Sequence, residues 1–299
     1  MPELQTPDIV NSDIAQILNP AHDDFESCYG LNASMNQKHY VKSFGYEIEG
    51  GFSAYDDPDE HECNDNCSDD GCDYSIPGNP RTSKYFKHDG SVDTRHYTAG
   101  EIASPVFHIS TDKEIRRFRR FVNEHYPQEV NSTCGHHVHL GLNDTLTYQK
   151  LMSENFFDEF VLEVKKFYDS EFKSKAFETT EYANEYYNRF ESRWNNENSY
   201  CKKEFSPNSQ ANEGFTSYDG TDSGRYTFLN YCFRTHKTLE CRLFPASNNP
   251  AVIIKVTEWF IKFTNSYLKK LEKKERVKKH KLEIAQKEST LSHEVSICV

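Results

Sequence analysis

Three short stretches carry the residue types that do chemistry, and each places them two positions apart. Phe44 to Phe52 reads FGYEIEGGF, Cys134 to Leu142 reads CGHHVHLGL, and Thr238 to Phe244 reads TLECRLF. Along an extended strand, successive side chains alternate between faces. Glu47 then shares a face with Glu49, His137 with His139, and Glu240 with Arg242. The apolar neighbours Tyr46, Ile48, Val138, Leu140, Leu239, Cys241 and Leu243 fall on the opposite faces. One such pair alone reads as a solvated strand face or, for the histidines, as partners in a polar cleft. Three of them in one chain read differently. If the strands are neighbours in a sheet, its polar face gathers three carboxylates, two imidazoles and a guanidinium, a cluster that is costly to assemble bare. Divalent cations relieve that cost, and carboxylate-rich sets with a histidine suit Mg²⁺ or Mn²⁺ better than zinc. Arg242, together with Arg225 of RYTFLNYCF, offers guanidinium forks that match phosphate oxygens. Cations and arginines on an acidic sheet describe phosphoryl transfer from a nucleotide. The chain has no Gly-Lys-Ser/Thr loop, so the P-loop fold is excluded.

The elements that must position these groups follow from pattern. Tyr85 to Val92 reads as a strand entering a turn at Asp89-Gly90, and Ala99 to Phe107 as a strand stopped by Pro105. Paired as a hairpin, they bring Asp89 and Glu101 to the ends of neighbouring strands. Thr111 with Glu114 is a capping box opening a helix to about Glu124. Leu146 to about Phe172 reads as one helix with a buried stripe of Phe156, Phe160, Val164 and Phe167. A helix is expected at Tyr182 to Trp194, then a long polar loop. Arg225 to Phe233 and Thr238 to Phe244 read as a hairpin, and Asn249-Pro250 opens a long helix. Its apolar stripe ends near Tyr267, and from Lys269 to Glu288 it is almost wholly charged.

Two segments differ in material. Met1 to about Gln37 is a polar lead-in with an apolar patch at Ile14, Ile17 and Leu18, expected to form one short helix. Residues 54–80 are dense in Asp and Glu, with Cys63, Cys67 and Cys72 beside His61. That insertion admits two readings: a disordered acidic loop, or a structural zinc knuckle of three thiolates and an imidazole.

Composition narrows the classes. A chain of 299 residues, 36% hydrophobic and 14% aromatic, can bury a sizeable core. Strand-length apolar segments interleaved with long helical ones imply an α+β architecture. A net charge of −12 argues against a nucleic-acid binder. No apolar run reaches membrane-spanning length, and no basic-then-apolar leader opens the chain. Nine cysteines, an odd number, suit a reducing compartment. The expectation is a soluble cytoplasmic protein without membrane or nucleic-acid partners, its oligomeric state left open.

The ordered set FGYEIE, KHDGS, GEIASP, CGHHVHL, RYTFLN and LECRLFP resembles the amidoligases, relatives of glutamine synthetase, over about Phe44 to Trp259. Glutamine synthetase carries Glu-x-Glu, Gly-x-His-x-His and Glu-x-Arg strands in the same order. The resemblance implies a glutamine-synthetase-like fold: a curved antiparallel sheet with helices packed on its outer face and the active site within. It divides the chain into the lead-in 1–37, a catalytic domain 38–268 bearing the insertion, and a charged C-terminal helix and tail 269–299. It also implies ATP- and Mg²⁺-dependent ligation of a small-molecule or peptide carboxylate to an amine through an acyl phosphate. By position it assigns Glu47, Glu49, Glu101, His137 and Glu240 to the metals, His139 to substrate instead, and Arg225 and Arg242 to ATP phosphates. Asp89 becomes a metal or amine-binding group. Within the same superfold a phosphotransferase is the alternative; from another class, a metal- or nucleotide-binding module without catalysis.

Overall fold

The structure, a computed structural model, describes residues 40–52, 85–95, 97–142, 144–173, 181–199, 201–206, 226–232 and 237–297. The lead-in, the acidic insertion with His61, Cys63, Cys67 and Cys72, and Arg225 lie outside them. Among the described residues, seven strands form one sheet: β1 (Val41–Phe52), β2 (Phe86–His88), β3 (Thr98–Ala103), β4 (Phe107–His108), β5 (His136–Leu142), β6 (Leu229–Asn230) and β7 (Thr238–Cys241). Among the described residues, five helices accompany it: α1 (Asp112–Glu124), α2 (Thr145–Leu151), α3 (Glu154–Glu171), α4 (Glu181–Trp194) and α5 (Pro250–Ile297). The sheet runs β2-β3-β1-β5-β7-β6, with β4 pairing the start of β1. Every strand pair in it is antiparallel. The architecture is therefore α+β. None of the described helices is long and apolar enough to cross a membrane.

β1 is the central strand, and the FGYEIEGGF stretch lies wholly within it. Alternation along β1 buries Phe44, Tyr46 and Ile48 on one face. On that face Phe118 of α1 meets Phe44 edge-on at 5.0 Å and Tyr46 at 6.0 Å. Further along, Phe260 of α5 sits 6.0 Å from Phe244, and α3 adds Phe160 at 5.8 Å from Phe260. Each fully buried phenylalanine contributes about 1.5–3 kcal/mol, so this aromatic layer holds the helices against the sheet.

Local chemistry sets the element ends. Thr111 caps α1 by accepting from Glu114 N, as the capping box predicts. Pro105 ends β3, yet the chain resumes as β4 on the same neighbour, so the expected single strand is two pieces along β1. The helix expected from Leu146 to Phe172 is also two. Met152 leaves helical dihedrals and Ser153 caps α3 by accepting from Phe156 N. A serine three residues ahead of a buried phenylalanine opens a new helix as readily as it continues an old one. The Gly50-Gly51 pair admits another backbone: Gly51 N donates to Glu129 O at 2.8 Å, and a Cβ on Gly50 would meet that same oxygen at 2.7 Å.

Candidate active site

The three two-apart pairs do fall on neighbouring strands. Antiparallel register puts Glu47 opposite His137, His139 opposite Glu240, and Glu49 opposite Glu101. Glu47, Glu49, His137, His139 and Glu240 thus share the sheet face opposite the aromatic layer, with Glu101 at its edge. One donor atom from each of Glu47, His139 and Glu240 lies within 4.8 Å of the other two. A cation held at about 2.0–2.2 Å would draw such donors only slightly closer.

The histidines are held differently. His139 Nδ1 is 3.2 Å from Thr238 Oγ1, which turns Nε2 toward Glu47 Oε2 at 3.8 Å and Glu240 Oε1 at 3.9 Å. His137 Nδ1 stands 3.7 Å from both Glu47 Oε2 and Glu240 Oε1, and its Nε2 3.7 Å from Glu49 Oε1. That Nδ1 is buried and makes no hydrogen bond. A buried imidazole nitrogen left unbonded between two carboxylates fits the role of a cation ligand. The closest donor set contains His139; His137, the metal ligand assigned by resemblance, borders it.

Glu240 is the most tightly fixed carboxylate. Its Oε1 accepts from Arg242 Nη1 at 2.6 Å, and its Oε2 from Asn230 Nδ2 at 2.6 Å and Cys232 Sγ at 3.3 Å. Burial alone would raise its pKa, but the Arg242 guanidinium and the two imidazoles hold it down at about 2. Burial likewise acts to raise Glu47, and the imidazoles of His137 and His139 outweigh it, leaving the carboxyl well below the usual range. Glu101 goes the other way: burial and the neighbouring Glu47 charge push it up, although Lys87 Nζ lies 3.2 Å from its Oε1. Glu47 and Glu240 are thus held toward the ionised form on the polar face of the sheet.

Glu49 is oriented by the backbone, its Oε2 accepting from Gly135 N at 2.5 Å. Glycine is required there, since a Cβ would stand 2.6 Å from His137 Nε2 and 3.1 Å from Glu49 Oε2. Gly135→Ala should therefore lower unfolding free energy by about 1–3 kcal/mol in denaturant titration, through overpacking. A variant as stable as wild type would show that the histidine strand relaxes freely.

Asp89 is not in the closest donor set. Its Oδ1 accepts from Ser91 N and Oγ at 2.8 and 2.7 Å, closing the turn after β2. Four participants were not legible from spacing: Asn230, Cys232, Thr238 and Arg193. Asn230 lies in the quoted RYTFLN stretch, and only the β6–β7 register puts it opposite Glu240. Arg193 of α4 donates to Arg242 O at 3.2 Å and Cys134 O at 3.0 Å, bracing the backbone at both ends of the site. No periodicity marks it, because its partners are carbonyls distant in sequence.

A family model described as "Putative amidoligase enzyme" matches residues 34–264. No curated protein and no solved structure gives a significant match. The matched span takes in every strand of the sheet and more than half of the 299 residues. With the family model spanning the strands that carry the carboxylates, imidazoles and guanidinium, the chain belongs to the amidoligase family and is, at that level, a ligase-type enzyme.

Proposed function

We propose that the chain is an ATP- and divalent-cation-dependent carboxylate–amine ligase, on a glutamine-synthetase-like sheet, that makes an amide or isopeptide bond through an acyl phosphate. The observation that carries this reading is the convergence of Glu47, His139 and Glu240 donors within 4.8 Å, with the Arg242 guanidinium joined to one of them. The donor set, two carboxylates and an imidazole bordered by Glu49, Glu101 and His137, fits Mg²⁺ or Mn²⁺. A cation bound there would neutralise nucleotide phosphate charge. The chain's own groups supply the rest. Glu240 and Glu47 stay ionised, Thr238 orients His139, and Arg242 presents guanidinium donors toward phosphate oxygens. Substrates of this reading are a small-molecule or peptide carboxylate and an amine.

Two measurements test it. Mg²⁺ with ATP at roughly a hundredfold over its dissociation constant should stabilise the folded state by about 2.7 kcal/mol, seen as a raised unfolding temperature. ADP release should require both a carboxylate and an amine, with the amide detected by mass spectrometry. A stable phosphorylated product that no amine consumes would make the protein a phosphotransferase. Nucleotide binding without turnover on any carboxylate–amine pair would make it a binding module.

A further inference from the structure

Arg193 of α4 is a buried cation that forms no ion pair among the described residues. Its Nη2 donates to Cys134 O at 3.0 Å and to Thr133 O at 3.4 Å, and its Nη1 to Arg242 O at 3.2 Å. A guanidinium is costly to take out of water, and carbonyl dipoles offset only part of that. Its planar fork suits this position, because two arms in one plane reach carbonyls on two separate stretches of chain. The helix holds the fork still. Phe190, three residues earlier on α4, stacks on Tyr168 of α3 with ring centroids 3.6 Å apart, and Trp194 stacks on Phe228 at 5.9 Å. The Arg242 end is fixed as well, since Arg242 N donates to Phe228 O at 3.0 Å.

What Arg193 does to Cys134 reaches Glu49 through one peptide bond. Cys134 O and Gly135 N belong to the same planar trans unit, so the carbonyl and the N–H point in opposite directions. The carbonyl accepts from Arg193 and also from Ala246 N at 3.0 Å. The N–H donates to Glu49 Oε2 at 2.5 Å, and Glu49 N donates back to Gly135 O at 2.9 Å. Fixing the carbonyl therefore fixes the N–H. A carbonyl that accepts two bonds also leaves the N–H of its own unit a stronger donor. At the other carboxylate oxygen, Glu49 Oε1 stands 3.7 Å from His137 Nε2.

We propose that Arg193 is a positioning residue of the site. By tying Cys134 to the Arg242 backbone it sets the Cys134–Gly135 peptide, and through that peptide the direction in which Glu49 presents its carboxylate beside His137. The positioning stands on geometry alone; its effect on a bound cation rests on the ligase reading.

The test uses the full chain and two variants. Arg193→Lys keeps the charge but has one donor head for two separated carbonyls; Arg193→Gln removes the charge, and if it does not fold, Arg193→Lys decides alone. Hydrogen exchange should show the Gly135 amide opening at least about tenfold faster than in wild type, measured relative to the amide of Ile48 within β1. That ratio removes any general loss of stability. Titration with Mn²⁺ alone should show about tenfold weaker binding in Arg193→Lys. The same change made in a Glu49→Ala background should cost less than about a further twofold, because the group that Arg193 positions is already gone. A residue that only supports the fold would weaken both backgrounds alike. Unchanged relative exchange at Gly135, or equal Mn²⁺ losses in the two backgrounds, would overturn the proposal. Wild-type protein that binds no Mn²⁺ would count against the ligase reading instead, and the exchange comparison would still decide the role of Arg193.

Discussion

Glu47→Gln leaves the protein folded and cuts carboxylate- and amine-dependent ADP release at least about a thousandfold; Glu240→Gln removes as much activity and stability as well. The two carboxylates offer donors to the same small volume, so each substitution removes one charged ligand from it. Their surroundings differ. Glu47 keeps 32% of its side chain exposed, whereas Glu240 keeps 4% and is bonded by Arg242, Asn230 and Cys232. Neutralising Glu240 leaves the enclosed Arg242 guanidinium without its counter-charge, which costs about 3–5 kcal/mol. Neutralising Glu47 leaves no such orphan, and its effect should stay within about 1 kcal/mol. Denaturant titration and single-turnover ADP release on both variants separate the outcomes. Retention of full activity by Glu47→Gln would remove that residue from the site and with it the closest donor set.

What could be read from the sequence was what depends on period two. Glu47, Glu49, His137, His139, Glu240 and Arg242 were placed on common faces by alternation; the sheet keeps the first two pairs together, and Arg242, just past β7, stays with Glu240 through its guanidinium. The α+β class followed from strand-length segments interleaved with helical ones, and the antiparallel sheet from the resemblance to the amidoligases. What alternation does not carry is register. That Glu47 meets His137 while His139 meets Glu240 depends on how β1, β5 and β7 slide past one another, and this is decided by packing of Tyr46, Val138 and Cys241 on the far face. Register is also why His139 joins the closest donor set and why Asn230 went unnoticed. Asp89 is ambiguous for a different reason. A DGS stretch is as much a turn motif as a ligand motif, and here the turn takes the carboxylate. The break at Met152 and Ser153 turned on a cap, which a pattern of buried aromatics spans without noticing.

Arg242→Lys should keep the fold and most ATP affinity while lowering turnover on the order of a hundredfold. The geometry separates the two effects. Arg242 spends one donor, Nη1, on Glu240 Oε1 at 2.6 Å, and its backbone N on Phe228 O at 3.0 Å. Its Nε is buried and makes no hydrogen bond. A lysine ammonium can replace the single contact to Glu240, so the ion pair and the strand end survive. It cannot replace the second, divergent donor direction of a planar guanidinium, which in the proposed reaction meets a phosphate. Ground-state binding depends on total charge and changes little. Charge developing on a transferring phosphoryl group depends on where donors point, so the loss concentrates in kcat. The comparison is ADP release at saturating ATP with carboxylate and amine present, wild type against Arg242→Lys, beside a nucleotide titration. Equal kcat would make Arg242 an ordinary salt-bridge partner of Glu240 and leave the phosphate-facing role to Arg225, the other arginine that the resemblance assigns to it. A drop confined to KM would place Arg242 at the nucleotide without a share in the transition state.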